Sequence, residues 1–266
     1  MTNHFQANGL NGGQKLPISV AIITLNEEKN IARALKSVEW AAEVVIYDSG
    51  STDLTVEIAQ KMGAKVTNGA WLGFGSTKHQ VTALASHDWI LSIDADEEVS
   101  PELRNEISAK LMNLNIETAY RLPRLSNFLG RWIRHGGWYP DYQVRLFNRL
   151  HAEWNQSNVH EKVEAKNYES LISNLNHYVF KNISHQIQTN DKYSSLLAND
   201  LQEKGKKFSW FHFLTKPSVK FIECYIWKLG FLDGWPGYVI ARNAAHSVFM
   251  KWSKLKELQM LPENKI

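Results

Sequence analysis

Residues 87–103 read HDWILSIDADEEVSPEL, an apolar run that ends in four carboxylates within five positions, Asp94, Asp96, Glu97 and Glu98. The run from Trp89 to Ile93 has the length and composition of a β-strand buried on both faces. Acidic residues favour helix N-termini, but Ser100, Pro101 and Glu102 already supply an N-cap, a first-turn proline and a first-turn acid. The four acids are surplus to capping and call for another role.

Outward from this strand the pattern alternates. ISVAIIT (18–24) is a β-branched apolar run of the same kind, and Ile31, Leu35 and Val38 behind it fall on one face of a helix that Asn30 is placed to cap. EVVIYD (43–48) predicts a second strand, and SGSTD turns into a helix through Ala59 that Gly63 ends. Residues 64–67 predict a short third strand, and 76–85 a helix leading into 89–94. This βαβαβαβ order predicts a Rossmann-like, mostly parallel sheet flanked by helices. Ligands of such sheets sit beyond the carboxyl ends of the strands. Three of those ends carry polar groups: Thr24, Asn26 and Glu28, then Asp48, then Asp94 and Asp96. They are expected to converge on one rim. No G-x-G-x-x-G follows the first strand, no phosphate loop occurs, and GFGSTKH (73–79) has glycines in the wrong context. A bound phosphate would then be held through a hard cation, since Mg²⁺ takes one or two carboxylates together with substrate phosphates.

The chain has 266 residues, enough for one large domain with an appendage. Its one cysteine, Cys224, excludes an internal disulfide and a thiolate metal cluster. No apolar core of signal-peptide type occurs in residues 1–15, expected to be flexible, and no apolar run is long enough to span a bilayer, so a cytoplasmic location is expected. Charge is uneven along the chain. Between residues 204 and 256 nine Lys and Arg242 face only Glu223 and Asp233, a net of +8 in a chain whose total is +3. Four tryptophans, Trp210, Trp227, Trp235 and Trp252, lie in the same segment. Basic and aromatic residues together suggest a surface that meets a membrane or a nucleic acid.

The segments SVAIITLNEEKNIARALKSV, VVIYDSGSTDLTVEIA and WILSIDADEEV, in this order and spacing, resemble the nucleotide-sugar domain of inverting family 2 glycosyltransferases with the GT-A fold, over residues 18–163. YPDYQVRLF (139–147) and VHEKV (159–163) resemble more narrowly the bacterial lipopolysaccharide core β-glucosyltransferases. The resemblance implies a GT-A catalytic domain over 16–185 and a helical, basic and aromatic extension over 186–266. It also implies that Asp48 contacts the uracil of a UDP-sugar, that residues 24–26 line the base pocket, and that Lys78 and Arg145 lie near the nucleotide diphosphate. In Asp94-Ala95-Asp96 the second acid would bind Mg²⁺ or Mn²⁺ and the first would lie nearer the ribose, with strand alternation pointing both to one side. Inversion needs a base for the acceptor hydroxyl. Glu161 in NVHEKVE holds the matching place, with His160 assisting it, although the family more often has Glu-Asp there; Asp141 is the rival. The implied partners are a UDP-sugar, a lipopolysaccharide core or similar glycolipid, and the inner face of the cytoplasmic membrane through the C-terminal helices, with no nucleic acid.

Plainer readings stand beside these. Asp48 would simply start a turn, Lys78 and His79 would be exposed helix residues, and Arg145 an ordinary ion-pair partner. Residues 216–235 would be a helix packed on the catalytic domain. Other acceptors, a polysaccharide or a protein, fit the same motifs. Two other classes, an aspartyl-nucleophile phosphatase and a non-catalytic membrane-binding module, account for the D-x-D strand and for the tail respectively, but neither accounts for both.

Overall fold

The computed structural model describes residues 15–155 and 161–260. They form two compact units that interleave along the chain. One comprises the described residues up to Pro123 together with Tyr142–Leu175; the other comprises Arg124–Asp141 and the described residues from Asn176 onward.

The chain opens with β1 (Leu16–Thr24), α1 (Ile31–Ser37), β2 (Ala41–Asp48), α2 (Thr55–Lys61), β3 (Lys65–Asn68), α3 (Phe74–Ala83) and β4 (Trp89–Asp94). Next come β5 (Glu97–Val99), α4 (Pro101–Lys110), β6 (Thr118–Phe128), β7 (Arg131–Trp132) and β8 (Asp141–Asn148). β9 (Glu153–Trp154), β10 (Val163–Glu164), β11 (Asn167–Ser170) and β12 (Leu175–His177) precede three long helices, α5 (Ile183–Glu203), α6 (Trp210–Ile222) and α7 (Gly234–Met260). The main sheet runs β3-β2-β1-β4-β8-β6-β12-β5. β1 to β4 are parallel and β8 joins antiparallel, giving a mixed α/β sheet flanked by helices.

Residues of β1 are buried almost throughout because alternate side chains feed two cores. Val20 and Ile22 pack with Ile31, Leu35 and Val38 of the α1 region and with Leu103 and Ile107 of α4. Ala21 and Ile23 pack on the other face with Val81, Ala85 and Phe147. A continuous apolar run therefore reads correctly as a strand covered on both sides. Each such Ile removed from water contributes about 1.5–3 kcal/mol.

Local expectations fare differently. β4 and the Ser100 cap stand where expected; Ser100 Oγ accepts from Leu103 N at 3.1 Å. Asn30 occupies the cap position of α1 but makes no capping bond: its amide donates to Glu27 Oε2 at 2.7 Å and its carbonyl accepts from Arg33 at 2.6 Å. The third strand lies one residue later than the apolar pattern placed it, and α3 begins two residues earlier.

In the second unit Ala198, Trp252 and Leu255 form the centre of a helical core with Phe208, Phe213 and Val248 around it. Among the described residues no helix is long and apolar enough to cross a membrane.

Register explains the geometry at both ends of β1. At its start Ser19 faces Glu43 of β2, and this buried carboxylate accepts from Ser19 Oγ (2.6 Å), Lys65 Nζ (2.6 Å), Ser86 N (2.7 Å) and Ser86 Oγ (2.8 Å). Burial pushes its pKa up, but these donors outweigh burial and bring it from 4.5 to about 2. A depressed folded-state pKa contributes stability above the unfolded value, and that contribution is lost as pH falls toward the folded value. Glu43→Gln should therefore lose most stability near neutral pH, and its difference from the native chain should shrink between about pH 4.5 and 2 in urea titrations. A difference that does not change with pH would contradict this role.

Candidate active site

The carboxyl ends of the central strands meet in register: Thr24 pairs with Asp48, Ile23 with Asp94, and Asp48 with Asn68. Asp48 is buried and accepts from Thr24 Oγ1 (2.9 Å) and Ser51 Oγ (2.5 Å) on one oxygen, and from Gly50 N (3.0 Å) and Ser51 N (2.8 Å) on the other. Burial raises its pKa, but the bonds from Ser51, Thr24 and Gly50 outweigh that and hold it below the usual carboxylate range. A carboxylate offers about four acceptor positions, and the turn occupies all of them. Asp48 in this conformation ties the end of β2 to the end of β1 and to the turn at residues 50–51.

The loops after β1 and β2 are stitched together at the same rim. Asn26, at φ +56°, accepts from Thr52 N at 2.9 Å, and its own N–H donates to Ser51 Oγ at 2.8 Å. Asn tolerates this left-handed backbone better than most residues. Glu28 N donates to Asp53 Oδ2 at 3.2 Å, and Glu28 Oε2 accepts from Leu54 N at 3.3 Å. Thr24, Asn26, Glu28 and Asp48 are thus gathered into one hydrogen-bonded wall.

The acidic end of β4 is arranged differently from the expectation. β4 stops at Asp94, residues 95–96 form a turn, and β5 begins at Glu97. Strand alternation therefore does not orient Asp94 and Asp96; the turn does. Glu97 is fully buried and accepts from Asp94 N at 2.9 Å and from Arg145 Nη2 at 2.7 Å. The same Nη2 donates to Asp94 Oδ2 at 2.5 Å. Lys78 Nζ lies 3.0 Å from Asp94 Oδ1, 3.8 Å from Glu161 Oε1 and 4.8 Å from the centre of the Trp154 ring. Lys78 is only 5 % exposed, so its reading as an exposed helix residue is overturned. Burial alone would lower the pKa of Arg145, but Asp94 and Glu97 outweigh burial and raise it. Arg145 is thus the buried ion-pair partner of two acids.

The structure brings together Asp94, Glu161, Lys78 and Arg145, leaves Asp96 in the adjoining turn, and adds Glu97, which in the sequence is only one of the surplus acids. Nothing in the local sequence separates Glu97 from its acidic neighbours; its burial follows from the return of the chain into β5 opposite Arg145. Asp141 belongs to the second unit, where its Oδ2 accepts from Arg124 Nε (2.9 Å) and Nη2 (2.6 Å). His160 lies outside the described residues.

No group of three or more His, Cys, Asp or Glu side chains is arranged as a metal cage among the described residues. The set instead suits a Mg²⁺-type ion completed by substrate oxygens. Three carboxylates, Asp94, Glu97 and Glu161, surround two cations, Lys78 and Arg145, and Asp96 adds a fourth acid in the adjoining turn. That excess of negative charge opposes a bare diphosphate and favours one that arrives with a divalent cation.

Comparison with known proteins agrees with the fold. Glycosyl transferase family 2 matches residues 19–163. An uncharacterized glycosyltransferase of Rickettsia typhi is 34% identical over 262 residues, covering 94% of this chain and 90% of the relative. The lipopolysaccharide core biosynthesis glycosyltransferase LpsC of Rhizobium meliloti is 28% identical over 252 residues, covering 89% of this chain and 93% of the relative. Among solved structures, glucosyl-3-phosphoglycerate synthase from Mycobacterium tuberculosis aligns over 47% of this chain and 51% of its own at 23% identity, with a TM-score of 0.36.

Removing Arg145 would leave Glu97 buried without its cation, a loss that costs about 3–5 kcal/mol. Arg145→Met should show this in urea titrations, and the double variant with Glu97→Gln should recover part of it, because the unpaired charge is then gone. A cost below about 1 kcal/mol for Arg145→Met would show that the pair does not hold the turn.

Proposed function

The chain belongs to glycosyl transferase family 2, and we propose that it moves a hexose such as glucose from a UDP-sugar to a lipopolysaccharide core or similar glycolipid, with inversion and with Mg²⁺ or Mn²⁺. Family membership removes the phosphatase and the non-catalytic module as alternatives. The observation that carries the proposal is the bridge made by Lys78, which holds Asp94 of the D-x-D turn and Glu161 within one cluster.

In this reading the wall formed by Thr24, Asn26, Glu28 and Asp48 receives the nucleoside, its shape fixed by the loop-to-loop hydrogen bonds. Asp96 holds the cation, Asp94 faces the ribose side, and Arg145 and Lys78 keep Asp94 in place. A divalent ion, when bound, offsets charge on the departing diphosphate. Glu161 takes the proton from the acceptor hydroxyl as its oxygen bonds to the anomeric carbon, and the bond from that carbon to the diphosphate oxygen breaks on the opposite side. Lys78 Nζ lies 3.8 Å from Glu161 Oε1 and so keeps the candidate base beside the D-x-D turn.

The acceptor class is supported by the likeness to LpsC over nearly the whole of both chains. An acceptor of that kind is embedded in a membrane, so we place the protein on the inner face of the cytoplasmic membrane, attached through its basic and aromatic C-terminal helices.

Two substitutions test the assignment. Asp96→Ala should abolish transfer and remove the metal dependence of UDP binding while the melting curve stays unchanged. Glu161→Gln should keep UDP affinity yet lose transfer by about 10²-fold or more. If Glu161→Gln stays active and Asp141→Asn does not, the base is Asp141.

A further inference from the structure

The connection between α6 and α7 holds large apolar side chains out toward solvent on a rigid frame. Trp227 is 68% exposed and Trp235 65%, and Ile226 before them and Leu229, Phe231 and Leu232 between them are each exposed by more than two fifths. α6, which leads into this turn, buries none of its residues fully; Phe211, Leu214 and Ile222 recur on its outer face at helical spacing.

The turn is built rather than loose. A Cβ on Gly237 would lie 1.9 Å from Gly230 O, so the two backbones meet where only glycine fits. Buried Asp233 accepts from His135 N at 2.8 Å, Leu232 O accepts from Arg131 Nη2 at 2.9 Å, and Lys228 O accepts from Gly136 N at 2.8 Å. Leu229 adopts φ +56°, a left-handed conformation that Gly or Asn occupies at lower cost. The sequence places a bulky apolar residue there and leaves it 45% exposed. A backbone restrained this closely makes the outward aim of these side chains a property of the fold.

We propose that this turn, residues 226–235, is a membrane wedge: its Trp, Leu and Phe side chains enter the boundary between headgroups and acyl chains, and the outer face of α6 lies along the same surface. The occupant is an anionic bilayer because lysines accompany α6 along its length: Lys206 and Lys207 precede it, Lys216 and Lys220 lie in it, Lys228 follows it, and Lys256 of α7 lies 5.0 Å from the centre of the Phe208 ring. Trp at the edges of the turn suits the wet and apolar halves of that boundary. This rests on the glycolipid-acceptor reading only for its purpose; the wedge itself is read from exposure and backbone geometry. It also specifies the kind of attachment, apolar as well as electrostatic.

Vesicle sedimentation of the full chain tests it, with phosphatidylcholine vesicles with and without phosphatidylglycerol, at about 0.1 M and about 1 M salt, where the Debye lengths are roughly 10 and 3 Å. The native chain should pellet with the anionic vesicles, and a measurable fraction should remain bound at the higher salt. The combined variant Trp227→Ser, Leu229→Asn, Trp235→Ser should lose partitioning by about tenfold or more. Its calorimetric UDP affinity should be unchanged, so loss of the wedge and loss of the transferase reading are separately visible. Leu229→Asn alone should melt no lower than the native chain, since Asn accepts the left-handed backbone, yet should bind vesicles less tightly. The proposal is overturned if the variant pellets like the native chain. It is equally overturned if light scattering shows a native dimer that the variant dissolves, because the face is then a self-interface.

Discussion

One guanidinium organises the acidic rim. Arg145 rises from β8, antiparallel to β4, and a single nitrogen of its side chain holds both Asp94 and Glu97. Without it a fully buried carboxylate would lose its cation, at a cost of several kcal/mol. With it, the strand can end, turn at Ala95–Asp96 and restart at Glu97 while keeping Asp94 fixed. Lys78 then takes the second oxygen of Asp94 and reaches toward Glu161. The candidate base and the D-x-D turn are thereby tied through one buried ammonium, although some 65 residues separate them in the chain.

This arrangement gives the apparent excess of acids a physical reason. Glu97 is structural, Asp94 is held between two cations, and Asp96 lies half-buried in the turn. A site with more negative than positive charge is poorly suited to a nucleotide on its own and well suited to one accompanied by Mg²⁺ or Mn²⁺. The second unit has the reverse character, basic and aromatic with apolar side chains facing outward, as a surface for an anionic lipid would require.

Much of this was legible in the sequence where a single periodicity governed the outcome. ISVAIIT and WILSID became strands buried on both faces, and the polar strand ends did converge, because register in a parallel sheet aligns carboxyl ends. Ser100 caps α4 as its place just before Pro101 predicts. The misreadings arose where tertiary contacts outweighed a local rule. Asn30 found Glu27 and Arg33 before the helix amides. Lys78, polar and mid-helix, was buried because β4 and residues near β10 bring two carboxylates to it, partners that spacing along the chain cannot reveal. Asp48 was open to both readings, and the turn filled its oxygens. The interleaving of the two units was likewise invisible to composition, which changes only near residue 204.

The most direct measurement is isothermal titration of the native chain with UDP in the presence of Mn²⁺ and again in excess chelator. If the rim works as its charges indicate, UDP binds with Mn²⁺ and loses about tenfold or more of its affinity without it, corresponding to at least about 1.4 kcal/mol. Equal affinity in both conditions, or no binding in either, would contradict a cation-dependent nucleotide site at Asp94 and Asp96.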